Sequence, residues 1–457
     1  MRHDPRKNDN EPGRAPVARG AWRLWLLAAG VFAAGSIAPA AATTLDARSL
    51  RSAALVNGLR VVVCEDADSP ASTVEVVVKI GSADDPTGRA GLAHLLEHVC
   101  WAGGGEPDPR QRIEGLGGVT GAGALRDFTR FYATVPSEDW PLAMQMLAEA
   151  VLQEGFSEAM VARERRVIAQ EALGRQGQPR LLLNDLAFET LYGADHPYGR
   201  PIEGDGQSLA EISAAALSHF HRSWYVPNNM ALIVAGDVEF DSVMREVEAV
   251  FGGLSPRALP PRAAADSVRP APGGARELES RLSDAHVMAA FLGPAAEEWK
   301  AVCASDVFAT LLAHGNWGQL VAELKEKRGL VKDIGVDFLT QRGGALFGIW
   351  MVCSNANVSA AQEALRAELL RLAEEPIEPK QLAAAKRLLS AGYAFANETA
   401  ADRAATLGFY EAIDSYRAAS SYLPRVAAVS SGDLAAVAAR YAGDPTWVVI
   451  RAGEGAE

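Results

Sequence analysis

The chain has 457 residues, of which 49% are hydrophobic and 22% charged, a composition typical of folded soluble proteins rather than of disordered or fibrous chains. This length exceeds what one hydrophobic core ordinarily supports, so two or more domains are expected. The formal net charge is −13 and no basic block stands out, which argues against nucleic acid as a partner.

The N-terminus carries a targeting pattern. Six basic residues within the first 23 positions precede the apolar run LWLLAAGVFAAG, which has the length of a signal-peptide core. Small residues follow, and we predict a signal peptide over residues 1–42, cut after Ala40 or Ala42. The alternative is an uncleaved anchor, although the run is short for a membrane span. The pattern predicts export to the periplasm, with no stable membrane span once the signal is removed.

The region after the signal has the pattern of strands that lead into a helix. LRVVVCED at 59–66 and TRFYATVP at 129–136 alternate like strands, and STVEVVVKIGSADD at 72–85 is rich in β-formers. SEAMVARERRVIAQEAL at 157–173 has helical period instead. This mixture predicts an α+β domain, with a β-sheet that has helices packed on one face.

The stretch GLAHLLEHVC, residues 91–100, holds two histidines and a glutamate within five positions. On a helix His94 and His98 lie one turn apart on one face, so both imidazoles can reach one metal ion, with Glu97 beside them. A catalytic zinc ion commonly has three protein ligands and acidifies water, whose proton a neighbouring carboxylate can accept. His-x-x-Glu-His therefore has the residues needed for zinc-dependent hydrolysis, and the alternative is a surface helix with incidental histidines.

A third ligand is available on the helix that follows. Ser157 is placed to cap its N-terminus, and Glu164 and Glu171 are seven residues apart, so they share a face. One of them can ligate the metal while the other orients a histidine or the first carboxylate. Spacing alone does not choose between the two glutamates.

Residues 256–275, PRALPPRAAADSVRPAPGGA, are rich in proline, alanine and arginine and lack apolar periodicity, which predicts a linker. It divides the chain into a domain over 43–255, which carries the motif, and a second domain over 276–457. The pattern indicates that the two halves are a repeat. Residues 212–238 and 429–453 both have the order helix, proline turn, apolar strand and glycine. The second half also opens with a β-rich stretch at 283–296 and has a helical pattern at 360–375.

The four cysteines are too few for a disulfide scaffold and lack paired zinc spacing. An exported chain meets oxidising conditions, so one or two bridges and four free buried thiols are both possible. We therefore assign no disulfide pairing to Cys64, Cys100, Cys303 and Cys353.

Four segments resemble the inverzincin peptidases of the pitrilysin/insulinase type, and among these the mitochondrial-processing-peptidase-like branch with short two-domain subunits. GRAGLAHLLEHVCWAG at 88–103 is similar to the zinc helix, and ERRVIAQE at 164–171 is similar to the family's Glu-x6-Glu. HPYGRPIEG at 196–204 and YVPNNMALIVAGD at 225–237 match further signatures. The resemblance implies Zn²⁺ held by His94, His98 and Glu171, with Glu97 as general base and Glu164 supporting the ligands.

The resemblance also implies a fold and a binding mode. Two similar α+β domains would form half of a clamshell around a chamber, in which a peptide substrate adds as a strand to a sheet edge. The family usually has Gly-Gly-x-x-Asn-Ala-x-Thr on that edge, whereas this chain has GGVTGAGA at 117–124. Gly121 replaces the asparagine and Ala124 the threonine, so only Ala122 survives as a predicted substrate-binding residue.

A second departure concerns an Arg-x6-Tyr pair that active members carry in their C-terminal half. The matching segment is ELKEKRGLVKD, with Lys325 at the arginine position and Lys332 at the tyrosine position. Lysine has neither the guanidinium fork nor a phenol, so this chain resembles the zinc-bearing subunit of a heterodimer whose second family subunit supplies the pair. The expected function is a zinc-dependent endopeptidase subunit that hydrolyses peptides or small unfolded segments. The alternatives are a non-catalytic assembly subunit and a chamber that captures peptides without cutting them.

Overall fold

The computed structural model describes residue 45 and residues 49–103, 108–262 and 274–453. The predicted signal peptide over 1–42 lies outside the described residues, as does 263–273 of the predicted linker. Among the described residues, no helix combines the length and the apolar composition that a membrane-crossing segment needs. The four cysteines all lie in the described part, where each is buried and free.

The first half of the described chain forms a six-stranded sheet in the order β1-β2-β6-β3-β5-β4. Its strands are β1 Leu50–Ala54, β2 Arg60–Glu65, β3 Ala71–Val78, β4 Val119–Ala124, β5 Thr129–Pro136 and β6 Met230–Gly236. The α-helices of this half are α1 Leu92–Ala102, α2 Pro109–Gly115, α3 Trp140–Leu152, α4 Glu158–Gln176, α5 Pro179–Tyr192, α6 Gly206–Glu211, α7 Ala214–Trp224 and α8 Phe240–Phe251.

The second half forms a five-stranded sheet in the order β7-β11-β8-β10-β9. Its strands are β7 Ala275–Ser280, β8 Ala285–Gly293, β9 Asp333–Phe338, β10 Ala345–Cys353 and β11 Thr446–Ala452. Its helices are α9 Trp299–Ala313, a π-helix Val321–Lys327, α10 Val358–Glu374, α11 Pro379–Phe395, α12 Ala400–Ile413, α13 Arg417–Ala428 and α14 Ser431–Tyr441. Single-turn 3₁₀ helices occur at Ser82–Asp84, Ser137–Asp139, Pro197–Gly199, Pro227–Asn229, Gly315–Trp317 and Asn355–Asn357.

The two sheets repeat one topology. Without the extra strand β1, the first sheet runs β2-β6-β3-β5-β4 and the second runs β7-β11-β8-β10-β9. In the first sheet β2 pairs in parallel with β6, and β6 pairs antiparallel with β3. In the second sheet β7 pairs in parallel with β11, and β11 pairs antiparallel with β8. The prediction of two similar α+β halves is therefore confirmed. The boundaries at 255 and 276 stay predictions, although β7 already begins at Ala275, one residue inside the predicted linker.

Each sheet has its own helices on one face and a helix from the other half on its second face, a feature the sequence did not predict. One face of the first sheet packs on α1, α3, α4, α7 and α8. Its other face, including Val77 and Ile233, packs against α12 through Leu407. Reciprocally, α5 packs Leu183 and Leu191 on the second sheet, which its own helices cover from the opposite side. Burial of apolar area on both faces requires these exchanged helices.

Gly408 allows α12 to approach the first sheet closely. A Cβ atom at this position would lie 2.6 Å from Oε1 of Glu75 on β3, nearer than a side chain tolerates. Glu75 is fully buried there and accepts a hydrogen bond of 2.7 Å from Nη2 of Arg130 on β5. A buried ion pair thus lies between the sheet and the exchanged helix.

Candidate metal centre

Helix α1 is fixed at its start by a buried carboxylate. Asp85 accepts hydrogen bonds of 2.8 Å from the backbone N–H groups of both Gly91 and Ala93, which a helix N-terminus otherwise leaves unsatisfied. Gly91 has φ +89°, a left-handed conformation that suits glycine. Four apolar side chains of the helix are then fully buried in the first core, and the histidines occupy its remaining face. These four side chains are Leu92, Leu95, Leu96 and Val99, and Ala93 and Cys100 are buried beside them.

Helix α4 lies across from α1 and carries the two glutamates. Ser157 accepts a hydrogen bond of 3.2 Å from Met160 N, so the structure has the predicted N-terminal cap. Val161 and Ile168 are fully buried, which anchors the first two-thirds of the helix to the core. Glu164 and Glu171 both point toward α1, because seven residues make two helical turns.

The three predicted ligands lie close together. Nε2 of His94 and Nε2 of His98 are 3.2 Å apart. Oε2 of Glu171 lies 3.4 Å from His98 Nε2 and 4.0 Å from His94 Nε2. In a tetrahedral zinc site with Zn–N bonds of about 2.0–2.1 Å, neighbouring ligand atoms are separated by about 3.4 Å. The separations of His98 from His94 and from Glu171 match this spacing, and the separation of His94 from Glu171, at 4.0 Å, is longer. Imidazole and carboxylate are ligands that zinc takes, so the donor set fits a zinc ion in its chemistry.

Glu164 binds the other nitrogen of one of these histidines. Its Oε2 atom lies 3.5 Å from Nδ1 of His98, and its Oε1 accepts a hydrogen bond of 2.7 Å from Nε of Arg163. A carboxylate at Nδ1 holds the ring so that Nε2 faces the metal position, as it does around ligating histidines in general. The structure thus separates the two glutamates: Glu171 lies at the Nε2 side, and Glu164 lies behind His98.

Glu97 completes the cluster. Its Oε2 atom lies 3.9 Å from His94 Nε2 and 4.0 Å from His98 Nε2. Burial, together with the negative charges of Glu171 and Glu164, raises the pKa of Glu97 to about 7. A carboxyl group that titrates near neutral pH is suited to proton transfer.

The histidines differ in charge when no metal is bound. Burial and the neighbouring positive charge of His98 lower the pKa of His94 to about 3, so its ring is neutral at pH 7. Burial also lowers the pKa of His98, but hydrogen bonds to Glu164 and Glu171 and the charge of Glu97 outweigh it and raise that pKa to about 10. Metal binding must therefore displace a proton from His98.

Ala122 lies on β4, at one edge of the first sheet. Among the described strands β4 pairs only with β5, so its other edge is open. The replacement at Gly121 has a structural reason, since Gly121 pairs in register with Tyr132, and a Cβ atom at Gly121 would lie 2.7 Å from the phenol oxygen. Tyr132 fills the space that an asparagine side chain would otherwise need.

The same arrangement recurs on the second sheet. Gly335 on its edge strand β9 pairs in register with Trp350, and a Cβ atom at Gly335 would lie 2.3 Å from the indole ring. An arginine stacks on each aromatic ring, Arg130 on Tyr132 and Arg180 on Trp350. The repeat thus extends from topology to individual side chains.

The segment that carries Lys325 and Lys332 lies at the edge of the second sheet. Lys325 belongs to the π-helix, and its Nζ is 3.8 Å from a carboxylate oxygen of Asp333. Lys332 Nζ donates a hydrogen bond of 2.5 Å to Asp284. Both lysines are therefore engaged with acidic side chains of their own half.

Two residues of this region were missed by reasoning from sequence. Asp85 lies seven residues before Leu92, the first residue of α1, so ordinary capping rules do not find it, although its position beside Pro86 in a turn was a weak signal. Tyr132 lies in a strand pattern, and only the register with Gly121 shows what it covers. Neither contact follows from local spacing.

Two family models match this chain. Residues 60–206 match the model described as Insulinase (Peptidase family M16), and residues 211–389 match the model described as Peptidase M16 inactive domain. All five residues of the candidate metal centre, His94, Glu97, His98, Glu164 and Glu171, fall within the first match.

Known proteins resemble large parts of the chain. A protein of Mycobacterium tuberculosis named an uncharacterized zinc protease is 29% identical over 365 residues, which are 78% of this chain and 82% of that protein. A probable mitochondrial-processing peptidase subunit beta of Arabidopsis thaliana is 30% identical over 214 residues, 46% of this chain and 40% of the relative.

Solved structures share the fold. The crystal structure of a protease from Helicobacter pylori has a TM-score of 0.79 at 23% identity, and covers 88% of this chain and 98% of its own. A peptidase M16 inactive domain from Pseudomonas fluorescens has a TM-score of 0.76 at 21% identity, with the same coverage. With two matched models that together span most of the described residues, the chain belongs to peptidase family M16.

Proposed function

We propose that this chain is the zinc-bearing subunit of an exported, periplasmic endopeptidase. The observation that carries the proposal is the convergence of two imidazole nitrogens and the Glu171 carboxylate at zinc spacing, with Glu97 alongside. The names of relatives as zinc proteases support it, as does the match of the site to the Insulinase model rather than to the inactive-domain model.

Each residue of the site has a role in the proposed reaction. His94, His98 and Glu171 would hold the ion, which when bound supplies Lewis-acid chemistry by polarising a carbonyl and acidifying water. Glu97 lies about 4 Å from both ligating nitrogens and has a pKa of about 7. It would accept the proton of the attacking water and pass it to the leaving amine. Glu164 keeps His98 oriented through Nδ1.

The open edge of β4 is the observation that supports a peptide as the substrate. An extended segment can add to this edge as a further strand, with backbone hydrogen bonds at Ala122. Because such pairing reads backbone more than side chains, it suits peptides or small unfolded segments of varied sequence. In our proposal the clamshell formed with a partner encloses this edge in a chamber.

The partner would be a second family subunit. Lys325 and Lys332 stand where active members carry arginine and tyrosine, and both are engaged with acidic side chains in this chain. We infer that a subunit with an intact Arg-x6-Tyr segment faces the zinc site across the chamber.

The test combines metal analysis with peptide hydrolysis. The candidate partner is the product of a neighbouring reading frame that encodes an Arg-x6-Tyr segment. This chain and the partner are incubated together with a peptide mixture, and cleavage is followed by mass spectrometry. Glu97→Gln should abolish cleavage while stoichiometric zinc remains bound, and the matched control Glu114→Gln, at an exposed position on α2, should cleave normally. Cleavage by Glu97→Gln at the unmodified rate would refute the mechanism, and normal cleavage by the chain alone would refute the heterodimer.

The second candidate is a non-catalytic assembly subunit of the same fold. The two lysines at 325 and 332 and the loss of the edge asparagine at Gly121 favour it. It predicts a purified chain without stoichiometric zinc that also acquires none on mixing with the partner.

A further inference from the structure

The part of α4 that carries Glu171 is not held by apolar packing. Ile168 is the last buried apolar residue of the helix, and residues 169–174 are all exposed. The Glu171 side chain itself is 48% exposed, against 12–13% for the two histidines. Apolar burial therefore fixes α4 only up to the turn before the proposed ligand, so another contact has to fix the direction of Glu171.

Arg175 makes that contact, one turn after Glu171. Its Nη1 lies 2.6 Å from Oε1 of Glu203, and its Nη2 donates a hydrogen bond of 2.9 Å to Oδ2 of Asp185 on α5. The carboxylate groups are mostly buried, and the two-pronged guanidinium geometry fixes direction as well as distance. The end of α4 is thus tied to two neighbouring segments by ion pairs.

Glu203 is in turn fixed to the start of α1. A Cβ atom at Gly91 would lie 2.6 Å from the Glu203 carbonyl oxygen, and one at Gly204 would lie 2.2 Å from the Ala90 carbonyl oxygen, so the two backbones are in direct contact. Ser208 adds a hydrogen bond of 2.9 Å from its hydroxyl to the Ala90 carbonyl. The backbone of Glu203 therefore contacts the histidine helix, while its side chain binds the glutamate helix.

We propose that Arg175 and Glu203 form a brace that positions Glu171 against His94 and His98. The inference rests on the proposed zinc site and adds two positioning residues to it. Neither residue is proposed as a metal ligand: Arg175 positions Glu171 through helix α4 and interacts with its carboxylate by charge, and Glu203 acts through Arg175. Loss of an outer partner of a metal ligand typically weakens metal affinity by about 10–100-fold, and we expect a loss in that range here.

The experiment measures zinc affinity by competition with a chromophoric chelator, on the full chain and without any activity assay. Arg175→Ala and Glu203→Gln should each weaken zinc binding by about 10–100-fold. Arg175→Lys should recover part of the loss, because lysine keeps the charge but not the fork that binds two carboxylates. The matched control is Arg166→Ala, at an exposed position on the same helix, which should bind zinc as the unmodified chain does.

A double-mutant cycle separates positioning from general destabilisation. In a Glu171→Gln background, Arg175→Ala should cause no further loss of zinc affinity, because the side chain it positions has lost its charge. Unmodified affinity in both Arg175→Ala and Glu203→Gln would overturn the brace, and so would an equal loss in the Glu171→Gln background. An unmodified chain that binds no zinc would overturn the proposed function and the brace together.

Discussion

Zinc binding to this site should release protons, chiefly from His98. In the metal-free protein, carboxylates at both ring nitrogens outweigh burial and raise the pKa of His98 to about 10. At pH 7 the ring is therefore protonated, and zinc has to displace that proton before Nε2 can bind. At pH 7, three units below this pKa, the proton and zinc compete for Nε2 of His98. This competition weakens the apparent zinc affinity by about 1,000-fold, equivalent to about 4 kcal/mol.

The assay is isothermal titration of zinc into the metal-free chain in two buffers of different ionisation enthalpy. We expect about one proton from His98, and about half a proton more at pH 7 from Glu97, whose pKa of about 7 falls when a cation binds nearby. Glu97→Gln should reduce the total to about one, and apparent affinity should rise about tenfold per pH unit between pH 7 and 9. Glu164→Gln should lower the pKa of His98 and so reduce proton release at pH 8–9.

The same shift predicts how the stability of the metal-free protein depends on pH. The folded-state pKa of His98 lies above its unfolded value of about 6.5, so its stabilising contribution is complete below pH 6.5 and is lost as the pH rises through about 10. The zinc-bound form has no such proton to lose and should not show this decline. Zinc binding without proton release at pH 7 would show that His98 is neutral and would refute the electrostatic role assigned to Glu164.

Two further predictions concern stability and are checked by urea denaturation of the metal-free chain. Asp85→Ala removes the acceptor of two backbone N–H groups at the start of α1 and should cost about 0.5–2 kcal/mol, so an unchanged free energy of unfolding would contradict the capping role. Leu407→Ala leaves a cavity between α12 and the first sheet and should cost about 2–5 kcal/mol. Leu370→Ala, at a half-exposed position on α10, serves as its control and should stay within about 0.5 kcal/mol. Equal effects at the two leucines would argue against tight packing of α12.

Residues close in sequence were predictable because a helix repeats locally. The placement of His94 and His98 on one face follows from a spacing of four, and the cap at Ser157 follows from its position. The choice between Glu164 and Glu171 does not, since both occupy the same face of α4. The family resemblance implies Glu171 as the ligand, and in the structure the distances to Nε2 and Nδ1 of His98 distinguish the two glutamates.

Contacts between distant segments were not predictable from one sequence. In the sequence, Gly121 indicates only a strand position without a side chain. The register of β4 and β5 shows that the Tyr132 side chain lies over it. Periodicity identifies an amphipathic helix but not the sheet that it covers, so the exchange of α5 and α12 between the halves has no local signature. The brace of Arg175 and Glu203 likewise joins segments that spacing rules treat separately.

The exchange of helices has a consequence for synthesis of the chain. The last strand of the first sheet ends at Gly236, whereas the helix that covers its second face ends at Ile413. A ribosome therefore completes the first sheet long before it makes the helix that shields Val77 and Ile233 from water. The N-terminal half cannot reach its final packing while synthesis continues, and the unit that folds is the whole chain rather than either half.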